Sequence, residues 1–437
     1  LKVVDLCLRN AKIPFKDYFL DANVGVDEGK IVAICKTPHR LPADVEKNLR
    51  GMLLLPGLVD VHVHFRDPGL VWKEDFLTGS RAAAAGGVTT VCDMPNCVPP
   101  TSSLKRFRKK IKIGEKKSLV DFALHAALPD KVKEGEKLIK AGAASFKIFT
   151  YLQKDVVISK FLMINPLISA HAEDPRVLSK FNPRSGDIRE FIRCRPKLAE
   201  TSEISRLLNL ILDRRLHICH ISAGESVNLI SRAKRKGKRV TCEVTPHHVL
   251  LSLKHLKKLG PIAQTLPPLR TSRDRLAVLK ALRDGTIDII ASDHAPHSPD
   301  EKERGWTNIW ESPPGIAGIE TSLPLIFTLG QKGGLQLQRL IEAMCTLPAQ
   351  IFGLRNELGV PKGVLRVGAD ADLVALDPKK KWKIRGKNLH GKTKFTPFEG
   401  YQVKGKPVLT IVRGGVVFED GEVVGKPGHG RFIPCST

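Results

Sequence analysis

Aromatic residues are scarce in this 437-residue chain: 5% in all, with only three Tyr and four Trp. Zinc-finger, RRM-like and KH-like patterns are missing too, so nucleic-acid binding lacks its usual accompaniments. No stretch approaches the roughly 20 apolar residues of a membrane-crossing helix. The N-terminus lacks the basic, apolar and small-residue succession of a secretory signal, so neither membrane insertion nor export is expected. The chain starts at Leu1, which leaves processing of a precursor open. Its nine cysteines are odd in number, scattered and never spaced as CxxC. This argues against a disulfide framework and a thiolate zinc site, and the expected location is the reducing cytoplasm.

Acidic residues are the remaining shortage: 45 Asp and Glu face 71 Lys and Arg, a formal net charge of +26. Three runs carry much of the excess, around residues 105–117, 232–239 and 379–387. With no recognition motif beside them, they read as solvated helix faces and loops that also attract an anionic substrate or an acidic partner. Against these shortages stand 42% hydrophobic residues. That is ample for a sizeable core, and the length suits a β/α barrel with attached segments.

The middle of the chain alternates short apolar runs with amphipathic segments, the pattern of βα units. Strands are expected at residues 53–64, 88–94, 119–128, 145–150, 167–171, 217–222, 239–245 and 287–294. Helices are clearest at 74–85, 203–212, 225–236 and 273–283. Eight such units predict an α/β fold, a (β/α)8 TIM barrel, whose fourth helix must come from the short mixed stretch 154–164. The flanks read as short strands, at 3–8, 22–26 and 30–34 and again at 372–376, 409–413 and 416–418. Neither flank can build its own core. Residues 1–52 and 356–437 are therefore expected to pair into one small β-sandwich beside a barrel of residues 53–355.

Chemistry in such a barrel collects where the strands end. His62 and His64 end the first strand, Lys147 lies on the fourth, and His171, His220 and Asp293 end the fifth, sixth and eighth. Residues two apart on a strand share a face, so both rings of His62-Val63-His64 can grip one ion. Each of these residues alone also has a structural reading, as a satisfied core histidine, a helix cap or a turn. Convergence on one mouth is what points to metal, with ligands for two ions once a bridging group is added. Lys147 is the candidate bridge. An inward lysine there is costly unless it is salt-bridged, or unless its neutral amine takes up carbon dioxide to form a carbamate with an oxygen for each of two cations. His125, His217 and His247-His248 read as structural, His294 stays open, and Cys219 is expected to turn away from His220 into the core.

The stretch Asp60-Val61-His62-Val63-His64-Phe65-Arg66-Asp67-Pro68-Gly69 resembles the first-strand motif of dihydroorotases in the amidohydrolase superfamily. So do Met94-Pro95-Asn96, Phe146-Lys147-Ile148, Ala170-His171-Ala172-Glu173-Asp174, Ser292-Asp293-His294-Ala295-Pro296-His297 and the segment from Pro314-Gly315 to Thr321. The motifs occur in family order over nearly the whole chain. The resemblance implies two zinc ions held by His62, His64, His171, His220 and Asp293 and bridged by an N6-carboxylated Lys147, with Asp293 as the catalytic acid–base.

It further implies that Arg66, Asn96 and His297 hold the substrate's ring carboxylate, with His64, Pro314 and Gly315 also touching the substrate. The expected reaction is the reversible hydrolysis of dihydroorotate to N-carbamoyl-aspartate. The alternatives are another cyclic amidase, an allantoinase or a dihydropyrimidinase or hydantoinase, and a non-catalytic scaffold relative. A homo-oligomer or an association with aspartate transcarbamoylase fits the same resemblance. Two departures stand out: Leu266 where many dihydroorotases carry asparagine, and an apolar Leu70-Val71-Trp72 after the arginine motif. Residues 298–313, rich in charge and Trp, are a candidate lid.

Overall fold

The computed structural model describes residues 3–15, 18–39, 41–152 and 155–435. Near the N-terminus the chain forms the strands β1 (Val4–Phe15), β2 (Tyr18–Asp27), β3 (Lys30–Lys36) and β4 (Ala43–Asn48). Sequence periodicity predicts one strand over 53–64, because residues 53–63 carry only one charge. The chain makes two, β5 (Leu53–Pro56) and β6 (Leu58–Val63). They part at Gly57, where a Cβ would lie 2.2 Å from Thr89 Oγ1 and where the backbone N–H donates to Asp372 O at 2.8 Å. An apolar run has no period that could reveal such a corner.

Seven further stretches complete the barrel: β7 (Val88–Asp93), β8 (Asp121–Leu124) continued past His125 by β9 (Ala126–Ala127), β10 (Phe146–Phe149), β11 (Ile168–His171), β12 (Leu216–Ile218), β13 (Val240–Val244) and β14 (Ile289–Ile290). Neighbours pair in parallel. His125 N donates to Asp93 O at 3.0 Å, and His64 N to His294 O at 2.8 Å, beside a Val63–His294 bridge. The last contact brings β14 against β6 and closes eight staves. The expected helices appear as Phe76–Ala85, Lys197–Leu210, Gly224–Arg235 and Ser272–Arg283. Asp75 and Thr271 cap the first and last of these by accepting from backbone N–H groups. The fourth unit keeps a short helix, Asp155–Leu162; Lys154 lies outside the described residues. Phe352, Leu354, Ile433 and Cys435 pack on Val59, Val61 and Ile289, which plugs the barrel where its strands begin.

Strands of the two terminal segments share one continuous sheet. With β15 (Leu373–Lys383), β16 (Gln402–Val412), β17 (Gly415–Glu419) and β18 (Glu422–Val423), the order is β18-β17-β16-β15-β5-β1-β2-β3, and β4 lies parallel on β1. The sheet curls back on itself: Ile31 N donates to Ala369 O at 2.9 Å and Ala371 N to Gly29 O at 2.8 Å. Leu8, Val24, Ile31, Leu54, Leu373 and Ile411 fill the space enclosed. Between sheet and barrel sits Lys362, whose buried ammonium donates to Asp121, Asp370 and Asp372 at 2.6, 2.7 and 2.6 Å. Among the described residues no helix is long and apolar enough to cross a membrane.

Candidate active site

At the unplugged end of the barrel lies a cavity of about 180 Å³. His62, His64, Arg66, Asn96, Lys147, His171, His220, Asp293, His297, Pro314 and Gly315 all line it, together with Phe149, Tyr151, Leu266 and Ala295. Every residue expected at the site is therefore brought there. A larger groove of about 480 Å³ runs among the outer helices, but its Lys197, Glu225 and Asp274 are paired with one another. Three of the cavity residues hold left-handed backbone: Arg66 (φ 63), His220 (φ 36) and Asp293 (φ 46). Non-glycine residues adopt that conformation only when their surroundings impose it.

His62 Nε2 and His64 Nε2 converge on one atom, Asp293 Oδ1, at 3.2 and 3.1 Å. Across the cavity His171 Nδ1 faces His220 Nε2 at 3.1 Å. The far side of each ring determines which nitrogen keeps its lone pair. His62 Nδ1 bonds Glu243, His64 Nδ1 lies 2.7 Å from Asn96 Oδ1, and His171 Nε2 lies 2.8 Å from Glu173 Oε2. With protons on those nitrogens, the cavity-facing nitrogens of His64 and His171 are left as electron-pair donors. Burial and Lys147 press His62 down, but Glu243 and Asp293 outweigh them and raise it to about 10, so it must shed a proton before it can ligate. His220 Nδ1 is buried with no hydrogen-bond partner among the described residues. Burial and the neighbouring His171 and Lys147 hold His220 well below its usual pKa, and burial pushes His64 down to about 3, so both rings stay neutral. Burial acts to raise Asp293, but His62 and the His64 hydrogen bond outweigh it and keep the carboxyl below its ordinary range. This donor set, of which His62, His220 and Asp293 are close enough to share one ion, suits a divalent metal.

Lys147 is buried and makes no ion pair among the described residues. Its Nζ donates to Cys219 Sγ at 3.0 Å and sits 5.3 Å over the Phe149 ring. The salt-bridge reading of this lysine is thus not realised. Cys219 is buried, as expected, and does not line the cavity, but its Sγ meets Lys147 instead of facing away from the site. Strand β12 ends at Ile218, and the left-handed turn at His220 breaks the alternation that the expectation assumed.

On the other wall Arg66 is 9% exposed, has no carboxylate within ion-pair distance among the described residues, and leaves Nε buried without a partner. Among the described residues its one side-chain contact at hydrogen-bond distance is Nη2 to His297 Nε2 at 3.5 Å. His297 is already engaged on both nitrogens, Nε2 to Pro314 O at 3.1 Å and Nδ1 to Lys73 Nζ at 3.3 Å. Asn96 uses its oxygen on His64, which leaves its amide N–H groups as donors. This wall therefore offers N–H donors from Arg66 and Asn96.

Comparison with known proteins agrees with this arrangement. The model of the amidohydrolase family matches residues 53–150 and 199–417. The chain belongs to the amidohydrolase family. A dihydroorotase of Methanothermobacter thermautotrophicus is 41% identical to this amidohydrolase, over 99% of the chain and 97% of the relative. An L-hydantoinase of Paenarthrobacter aurescens is 34% identical over 98% of both. Among solved structures, the L-hydantoinase (dihydropyrimidinase) from Arthrobacter aurescens superposes with a TM-score of 0.94 at 33% identity, covering 99% of this chain and 100% of that one.

Several residues that shape the amidohydrolase site escape the sequence reading. Glu243 bridges His62 Nδ1 and His217 Nε2, the latter at 3.0 Å. Glu173 joins His171 to Arg195 at 2.8 Å. Lys302, on the helix Pro299–Thr307 of the candidate lid segment, is buried behind His297. A glutamate on an apolar strand, as at position 243, was the one available signal, because its burial demands partners.

Proposed function

We propose that this amidohydrolase is a dihydroorotase, interconverting (S)-dihydroorotate and N-carbamoyl-L-aspartate, with ring closure the direction that serves de novo pyrimidine (UMP) biosynthesis. The observation that carries the reading is Arg66. A buried guanidinium without a carboxylate partner is costly to maintain, and a ring carboxylate would supply that partner beside the histidine cluster.

Two zinc ions suit the donors: His62, His64 and Asp293 would hold one, His171 and His220 the other, and a carboxylated Lys147 would join them. The Lys147 amine, without an ion pair among the described residues, and the facing His171 Nδ1 and His220 Nε2 support that arrangement. When bound, the metal supplies Lewis acidity toward the ring carbonyl and lowers the pKa of water. Arg66 and the Asn96 amide hold the carboxylate, which fixes the ring so that its C4 carbonyl faces His62 and Asp293. His297 joins them once it releases one of its present bonds. The Asp293 carboxylate accepts the proton of the attacking water as the C–O bond forms, then delivers it to the ring nitrogen as the C–N bond breaks.

Leu266 favours a second reading, a hydantoinase-type enzyme, because it places an apolar side chain where the ring edge would lie. Ring opening measured on dihydroorotate, dihydrouracil, hydantoin and allantoin decides between them. Turnover of dihydroorotate far above the uncharged rings is expected. Preference for an uncharged ring would overturn the assignment.

A further inference from the structure

Behind the anion wall lies a lysine that neither the metal donors nor the carboxylate contacts account for. Lys302 is 3% exposed, forms no ion pair among the described residues, and spends its Nζ on a single bond to Pro313 O at 2.7 Å. Pro313 precedes Pro314 and Gly315, which line the cavity, and Pro314 O accepts from His297. Gly315 lies at φ 153, and a Cβ there would come within 2.3 Å of Ala295 O, so this loop has little room to move. The charged groups acting on Lys302 are Glu301, Lys73 and Arg66, while burial and the same cations hold His297 neutral. Among the described residues Glu301 is the only acid acting on Lys302, and it is already paired with Lys73 at 2.7 Å. Lys302, Lys73 and Arg66 thus lie close together with Glu301 as the acid among them, although Asp293 and Asp93 also act on Arg66. Burial is the main influence on Lys302, and with Lys73 and Arg66 adding to it against Glu301, the ammonium is pushed down to about 7.

A buried lysine that served only to staple a loop would gain from a carboxylate of its own, and the nearby Glu301 is already engaged by Lys73. Like charges held together out of water destabilise the empty site and favour whatever anion enters it. We propose that Lys302 is a positioning residue for substrate: acting through the Pro313–Gly315 loop, and through its charge on the Arg66–His297 wall, it sets the affinity for the ring carboxylate. This rests on the dihydroorotase reading for the identity of the anion, but not for its charge.

The test compares K302Q, which can still donate to Pro313 O, with K302M, which cannot, in metal-loaded enzyme. With dihydroorotate, both variants should raise KM about tenfold while kcat stays within about twofold, and the melting temperature of K302Q should match or exceed that of wild type. Binding of orotate, which carries the same carboxylate on an unsaturated ring, should weaken by a similar factor in calorimetry. An unchanged KM and orotate affinity in K302Q overturns the proposal, as does a fall in kcat alone. Should K302M fail to fold, K302Q carries the test. Should wild type not turn over dihydroorotate, the functional reading fails by itself, and orotate affinity in K302Q against wild type still decides whether Lys302 governs anion binding.

Discussion

Glu243→Gln separates the charge of the residue behind His62 from its hydrogen bonds. In the wild type the two carboxylate oxygens accept from His62 Nδ1 and from His217 Nε2. A glutamine has one oxygen and one NH2 group, so one imidazole must change tautomer. If the NH2 faced His62, that ring's Nε2 would carry its proton toward Asp293 and cease to be a donor of electrons. If it faces His217, the displaced proton moves to His217 Nδ1, 2.9 Å from Thr241 Oγ1, which can accept it. The second arrangement costs less, so E243Q keeps His62 correctly oriented and loses only the carboxylate's charge.

Metal affinity should therefore drop about tenfold in E243Q and about a hundredfold in E243L, or roughly 1.4 and 2.7 kcal/mol. Thr241→Val removes the acceptor on which the escape depends. E243Q/T241V should fall to the level of E243L, although T241V alone changes affinity little. Competition with a chromogenic chelator, alongside metal content by mass spectrometry, measures all four variants. The reasoning fails if E243Q is as damaging as E243L, or if adding T241V to E243Q has no further effect.

Arg66→Met should lower kcat/KM for dihydroorotate by about a hundredfold or more, from loss of a charge-assisted pair, yet leave thermal stability equal or higher; an equal loss on dihydrouracil would count against the anion wall. Dialysis against a strong chelator should abolish ring opening, and zinc should restore it, followed by the same spectrophotometric assay. Lys362→Met strands Asp121, Asp370 and Asp372 without their shared cation, so urea unfolding should show a loss of about 3–5 kcal/mol. His390 is raised above 6.5, chiefly by its hydrogen bond to Glu320. A raised folded pKa stabilises in full below the unfolded value and ceases to do so as pH climbs through the folded one. The stability gap between wild type and H390Q should accordingly be widest near pH 5.5 and close at alkaline pH.

The parts of the site legible in the sequence were those whose chemistry sits at strand ends: the His62-Val63-His64 pair, Asp293 and Arg66 each occupy positions that a βα pattern alone can place. The supporting residues were harder to read for identifiable reasons. Glu243 acts through partners on other strands, which spacing does not reveal, and Glu173 ties His171 to Arg195, which follows a helix that the strand pattern does not place. Cys219 was assigned to the wrong side because strict alternation was carried one residue beyond the end of β12, into a turn that only a left-handed His220 explains. Lys302 lies in a charged segment whose composition suggests solvent, although its own side chain is buried. In the fold, the barrel was visible through its alternation. The corner at Gly57 was hidden within an unbroken apolar stretch, and with it the membership of β5 in the terminal sheet.

That membership has a consequence for how the chain is made. Strand β5 lies between β1 and β15, whose partner β16 ends at Val412. The stave bearing His62 and His64 leaves β5 after a single residue. On the ribosome, the two histidines emerge early, but the sheet that anchors their strand lacks its other half until more than 300 further residues have been added. Pairings so distant in sequence form late and slowly. The metal-binding mouth is thus expected to mature only once β16 has been made, so chains shortened before β16 should accumulate as metal-free, aggregation-prone barrels.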